Sequence, residues 1–164
     1  MDLFLLRHGI AEDPKPGQSD FERALTGEGR RKLRDVLEVA RHAGVEPTLI
    51  LSSPLKRAIE TAEIATEVLG YKGEILRTKA LQPESDPENV WQEIRGHRSE
   101  ESILLAGHEP LFSSLAGYLL GAPSMRVDFK KGGLLKLIVD SFPPHPRAVL
   151  VWYLTPKLAA NGQK

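Results

Sequence analysis

The stretch Leu3-Phe4-Leu5-Leu6-Arg7-His8-Gly9 decides how the rest of the sequence is read. Four consecutive apolar residues leave no polar face, the pattern of a central strand covered by helices on both sides. The run stops abruptly at a cation, an imidazole and a glycine. In an open α/β sheet the carboxyl ends of the strands line the crevice where ligands bind. Arg7, His8 and Gly9 therefore stand where chemistry is expected.

Two further apolar runs end in the same way. Leu49-Ile50-Leu51 leads into Ser52-Ser53-Pro54, with Arg57 one turn later, and Ile103-Leu104-Leu105-Ala106 leads into Gly107-His108. Amphipathic stretches separate them. Thr26 is placed to cap a helix in which Leu33, Val36, Leu37 and Ala40 recur at helical spacing, and Gly44 is placed to end it. Ser53 as N-cap and Pro54 at the first helical position predict a helix running to Leu69 and Gly70. Residues 87–95 predict a short helix, Pro110 opens another, and Ile75-Leu76 gives a weaker strand signal. Residues 134–139 and 149–153 read as strands joined by a proline-rich loop, while Pro14, Pro16 and Gly17 make residues 13–20 a loop. Alternating strand and helix signals predict an α/β fold, a three-layer α/β/α sandwich around a mostly parallel sheet. One domain is expected over 1–156, with 157–164 a flexible C-terminal tail.

Composition narrows the function. The 164 residues suit one domain, and 22 basic against 22 acidic residues give no net charge. Nothing in that balance predicts attraction to nucleic acid or to a membrane surface. The sequence has no cysteine, which removes disulfides, thiolate metal sites and a thiol nucleophile. No stretch approaches a membrane span, and the run at Leu3 is too short for a signal peptide. The expectation is a cytoplasmic monomer.

Arg7, His8, Arg57 and His108, brought to one sheet edge, suit phosphoryl transfer. A moving phosphoryl group carries charge on three equatorial oxygens, and catalysis is mostly positioning and electrostatic stabilisation. Two guanidinium groups supply planar donors, and a helix starting near Pro54 adds free N–H groups. Neutral imidazole can attack phosphorus, so His8 is the candidate nucleophile, its protonation disfavoured by neighbouring arginines. His108 is the candidate for stabilising charge on the transferred group. Gly9 allows close backbone approach, and Gly9 and Ser53 are expected to contact substrate. No carboxylate cluster suggests a metal, and no cofactor is expected. Bland readings stand beside these: Lys56 or Arg57 pairing with Glu60, Thr61 and Ala62 packing on the sheet, Glu109 as an acid near a helix start. His42, His97 and His145 read as surface residues, and Lys130-Lys131-Gly132-Gly133 as a charged turn.

These residues resemble a known family. Leu5-Leu6-Arg7-His8-Gly9 is similar to the opening signature of the histidine phosphatase superfamily, which includes the phosphoglycerate mutases. Leu25-Thr26-x-x-Gly29, Ser53-Pro54-x-x-Arg57-Ala58-x-x-Thr61-Ala62 and Gly107-His108-x-Pro110-Leu111 resemble its later blocks in the same order. The short chain, without a large cap insertion, is most similar to SixA-like phosphohistidine phosphatases. The resemblance implies a phosphoglycerate mutase-like fold with His8 as nucleophile and Arg7, Arg57 and His108 completing the phosphate pocket. One position departs from the pattern. Many relatives place a catalytic glutamate where Leu81-Gln82-Pro83-Glu84 has Pro83. An alkoxide leaving group needs a proton donor, typically a factor of about 10² or more. Imidazole leaving from phosphohistidine needs one less. A phosphorylated protein, such as a histidine phosphotransfer domain or phosphocarrier, is therefore the expected substrate. A small-molecule phosphomonoesterase using Glu84 as general acid is the alternative, and a non-catalytic phosphate-binding module a third.

Overall fold

Leu3 to Leu6 are completely or almost completely buried, and the computed structural model, which describes residues 1–162, shows what covers them. Strand β1 (Asp2–Arg7) lies inside a six-stranded sheet with β2 (Leu49–Ser52), β3 (Ile75–Arg77), β4 (Ser102–Gly107), β5 (Leu134–Val139) and β6 (Ala148–Leu154). The order across the sheet is β3-β2-β4-β1-β5-β6. The first four run parallel, and β5 is antiparallel to both β1 and β6. The fold is thus α/β with a mostly parallel sheet and no large insertion, as the sequence predicts.

Side chains alternate across β1. Phe4 and Leu6 join Ile50, Leu104 and Ala106 against helices α1 (Gly27–His42) and α2 (Lys56–Leu69). Leu3 and Leu5 join Leu51, Ile103 and Leu105 against α3 (Pro87–Gly96) and α4 (Leu111–Leu119). Strands that feed two cores must be apolar at successive positions, which explains the unbroken run.

Local signals set most boundaries. The Thr26 hydroxyl oxygen accepts the Gly29 N–H at 2.9 Å, and α1 gives out at Gly44, whose φ of 79° favours glycine. Asp86 caps α3 in the same way through the Asn89 N–H at 2.9 Å. Helix α2 departs from expectation. It begins at Lys56 with Leu55 as a cap that offers no side-chain bond, two residues later than a Ser53 cap would place it. Ser53 is engaged elsewhere, as described below. The expected tail also differs: Pro156–Gly162 form a short helix, α5, and Ala159 is 1% exposed within the α1 and α2 core. Residues 163 and 164 of that expected tail lie outside the described residues. Among the described residues no helix is long and apolar enough to cross a membrane.

The start of α1 is fastened to the segment that follows His8. The Ile10 carbonyl accepts both the Thr26 N–H at 2.9 Å and the Thr26 hydroxyl at 3.2 Å. A Cβ added to Gly29 would stand 2.3 Å from that same carbonyl oxygen. The Leu25-Thr26-x-x-Gly29 block thus positions residues 9 and 10. Gly29→Ala is expected to cost about 1–3 kcal/mol in urea denaturation and to lower activity. Gly27→Ala, where a Cβ meets nothing within 4 Å, is expected to be neutral or to stabilise by up to about 1 kcal/mol.

Candidate active site

Strand register assembles the site. Arg7 is paired with Gly107 and Leu6 with Ala106, while Ser52 meets Ala106 from the other side. The next backbone groups continue the ladder: the His8 N–H donates to the Gly107 carbonyl at 2.9 Å and the Ser53 N–H to the Ala106 carbonyl at 3.0 Å. His8, Ser53 and His108 therefore leave the sheet together. The His8 and His108 ring centroids are 5.1 Å apart, and His108 Nε2 is 2.8 Å from Ser53 Oγ. Ser53 Oγ also accepts the Leu55 N–H at 3.3 Å, so one hydroxyl serves both the approach to α2 and His108.

His8 is 7% exposed and its Nδ1 lies 2.7 Å from the Gly9 carbonyl. A carbonyl can only accept, so Nδ1 carries the hydrogen and Nε2 keeps its lone pair. Burial pushes the His8 pKa down to about 3; Arg57, Arg7 and Lys131 push the same way, and the Gly9 bond opposes. His108, 1% exposed, is pushed down to about 2 by burial first, then by His8 and Arg57. Both rings are neutral at ordinary pH. The arginines were expected to keep His8 unprotonated; they do contribute, but desolvation is the larger cause.

Arg57 lies in the first turn of α2, 4% exposed, with its guanidinium pKa lowered by burial. It does not pair with Glu60, which accepts instead from Arg30 and from the Leu25 N–H. Its partner is Asp20, in a 3-10 turn over Asp20–Glu22. The Asp20 carbonyl accepts from Arg57 Nη1 at 2.9 Å and its carboxylate from Nη2 at 3.1 Å. Burial opposes ionisation of Asp20, yet hydrogen bonds from Arg23 and Arg57 hold its carboxyl below the usual range. Asp20 is the site neighbour that sequence reasoning missed; only its place in a proline-rich loop after the motif marked it.

Arg7 donates through Nη1 to the Phe129 carbonyl, and its own N–H bonds the Gly133 carbonyl at 3.0 Å. The Gly132 N–H is shared between the Arg7 and His8 carbonyls, at 3.1 Å each. Residues 130–133, expected to be a charged turn only, thus border the site. The Gly9 N–H points to Thr61 Oγ1 at 3.3 Å, and the Thr61 hydroxyl donates to the Arg57 carbonyl at 2.7 Å. The Gly9 carbonyl holds the His8 ring, and its N–H faces the Thr61 hydroxyl. Glu84 stands apart. It is exposed at the third position of a turn closed by the Ser85 N–H on the Gln82 carbonyl at 3.0 Å, with Pro83 before it. Glu109 accepts the Ser113 N–H at 2.6 Å at the start of α4. His42 and His145 are exposed, and His97 is half-buried beside Glu93.

Four buried side-chain polar atoms among the described residues lack a partner, and three are Arg7 Nε, Arg57 Nε and His108 Nδ1. An unpaired buried group costs about 1–3 kcal/mol, so such groups are otherwise rare. Their concentration here is what a site built to receive a multiply charged anion would show. No group of three or more His, Asp or Glu among the described residues is arranged to hold a metal ion.

Comparison with known proteins agrees with this geometry. Residues 3–82 match the model of the histidine phosphatase superfamily, branch 1. An uncharacterised protein of Picosynechococcus is 30% identical over 139 residues, 84% of each chain. The protein histidine phosphatase SixA, solved as a complex with tungstate, superposes with a TM-score of 0.85 at 25% identity, covering 96% of this chain and 98% of that one. A phosphohistidine phosphatase SixA assignment from Agrobacterium tumefaciens gives 0.81 at 24% identity over 94% and 97%, a likeness of fold. The chain belongs to the histidine phosphatase superfamily and is a phosphatase.

Two outcomes are expected. Asp20→Asn removes a negative charge from Arg57 but keeps the backbone carbonyl that orients it. Competitive inhibition by orthophosphate is therefore expected to tighten about three- to tenfold. Second, unfolded histidine titrates near 6.5, so between pH 6.5 and about 3 the unfolded chain binds protons that buried His8 refuses. Stability must fall as pH drops through that window. Urea denaturation at pH 7 and pH 4 is expected to show a smaller loss in a His8→Asn/His108→Asn variant, the saving approaching about 1.4 kcal/mol per pH unit per histidine.

Proposed function

We propose that this phosphatase removes phosphoryl groups from phosphohistidine on proteins, by way of a covalent phosphohistidine on His8. The observation that carries this reading is the neutral His8 imidazole, fixed by its Nδ1–H on the Gly9 carbonyl beside two arginines and His108. In the first step the Nε2 lone pair attacks phosphorus and the bond to the substrate's imidazole breaks, that ring leaving with a proton it already carries. Arg7, Arg57 and His108 hold the three equatorial oxygens. In the second step water attacks phosphorus, the P–Nε2 bond breaks, and phosphate and a solvent-bound proton depart.

The substrate class follows from the missing acid. Pro83 stands where a glutamate would serve an alkoxide leaving group, and Glu84 next to it is exposed. Phosphohistidine tolerates that loss because its leaving group is easily protonated beforehand. The absence of a large cap leaves the pocket open to a side chain on another protein, a phosphotransfer domain or carrier. The likeness to a protein histidine phosphatase supports the same class. A cytoplasmic, monomeric enzyme without metal or cofactor is the simplest form of this reading.

Brief incubation with phosphohistidine protein followed by alkaline denaturation is expected to trap acid-labile phosphate on the enzyme, and none on His8→Ala. Turnover that survives His8→Ala would sink the mechanism. A substrate panel in EDTA is expected to favour phosphohistidine protein over sugar phosphates, with Glu84→Gln changing kcat less than twofold. Efficient sugar phosphate turnover that collapses in Glu84→Gln would establish the small-molecule reading instead.

A further inference from the structure

The chain carries no net charge, yet five of its cations gather around one cavity beside the phosphate pocket. A cavity of about 670 Å³ opens beside Arg7, and its walls include Lys32, Asp128, Lys130, Lys131 and Lys157. These lysines come from separate parts of the fold: α1, the turn before β5, and the first turn of α5. Lys32 is paired with Glu28 at 3.0 Å and Lys130 with Asp128 at 2.6 Å. Lys131 and Lys157 form no ion pair with any described residue. Five cations thus face two carboxylates around one concavity, and gathering like charges is unfavourable unless an anion joins them.

The cavity is continuous with the reaction site in two ways. Arg7 belongs to both. Gly132, next to Lys131, hydrogen-bonds the carbonyls of Arg7 and His8, and the Lys131 charge is felt at the His8 ring. An anion held there would lie on the same molecule as the group being transferred. The choice of lysine indicates which anion. In the reaction pocket, buried arginines present rigid planar forks. Here the charges are exposed ammonium groups on flexible stems, strongly hydrated and suited to attracting an acidic surface without fixing its orientation.

We propose that this cavity is a second anion subsite, in which Lys32, Lys131 and Lys157 receive a carboxylate that neighbours the phosphohistidine on the substrate protein. The proposal rests on the phosphohistidine protein reading given above and adds to it a recognition element outside the reacting atoms. It also gives the C-terminal helix α5 a task, because Lys157 reaches the cavity only if that helix docks through Ala159.

The test is steady-state kinetics of the wild type and Lys32→Gln/Lys157→Gln on a phosphohistidine protein and on para-nitrophenyl phosphate, which has no second anion. The KM for the phosphoprotein is expected to rise about tenfold at low salt, with kcat moving less than twofold. The KM for para-nitrophenyl phosphate should rise far less, and the difference between substrates should shrink in 0.5 M salt as screening takes hold. Lys32→Arg/Lys157→Arg, which retains both charges, should preserve the wild-type ratio. Equal changes on both substrates, or no change on the phosphoprotein, would overturn the subsite. A preference for a sugar bisphosphate over its monophosphate that vanishes in the glutamine variant would also overturn it, assigning the cavity to a small molecule. A wild-type enzyme that cleaves para-nitrophenyl phosphate but no phosphohistidine protein would instead overturn the substrate reading.

Discussion

The site depends on the parallel pairing of β1 with β4. That register sets Arg7 against Gly107 and passes directly into the His8 N–H on the Gly107 carbonyl. A one-residue slip would turn Leu3 to Leu6 onto the wrong faces, and both hydrophobic layers resist it. The same packing that fixes the sheet therefore fixes the 5.1 Å spacing of the two histidine rings. The placement of the two histidines at the site is thus inherited from the core.

Around that pair, the supporting contacts are mostly backbone. The Gly9 carbonyl orients His8, the Gly132 N–H binds the Arg7 and His8 carbonyls, and the Asp20 carbonyl helps to hold Arg57. Backbone groups carry no net charge, so they fix position without cancelling the positive field that an anion requires. Asp20 is the exception. Its carboxylate lies on Arg57 while its side chain remains 57% exposed, a tie that solvent and an incoming phosphate can both contest.

The fold was largely legible because its signals are local or periodic. Unbroken apolar runs marked the strands, Thr26 and Gly44 bounded α1, and Pro110 preceded α4. The residues with placed chemistry were legible because three strand ends carried them. What escaped was decided by distant partners. Ser53 looked like a helix cap, but His108 claims its hydroxyl from 55 positions away. Glu60 was an obvious neighbour for Arg57 on one helix turn, yet Arg30 of α1 takes it. Residues 157–162 read as a tail because α5, Pro156–Gly162, has only seven residues, too few to show a helical period, and docking of Ala159 orders them. No pattern in the sequence could tie Asp20 to Arg57, since the loop path between them is set by tertiary contacts.

The adjacency of β1 and β4 also has a bearing on biosynthesis. His8 and His108 are a hundred residues apart in the chain. At roughly 5–20 residues per second, the first waits about 5–20 s for the second to be made. The strand that leads into His8 is meanwhile an apolar segment whose parallel neighbour does not yet exist, and whose other neighbour, β5, comes later still. During that interval β1 has to be kept from pairing with anything else, so the growing chain is more exposed to aggregation than the finished enzyme.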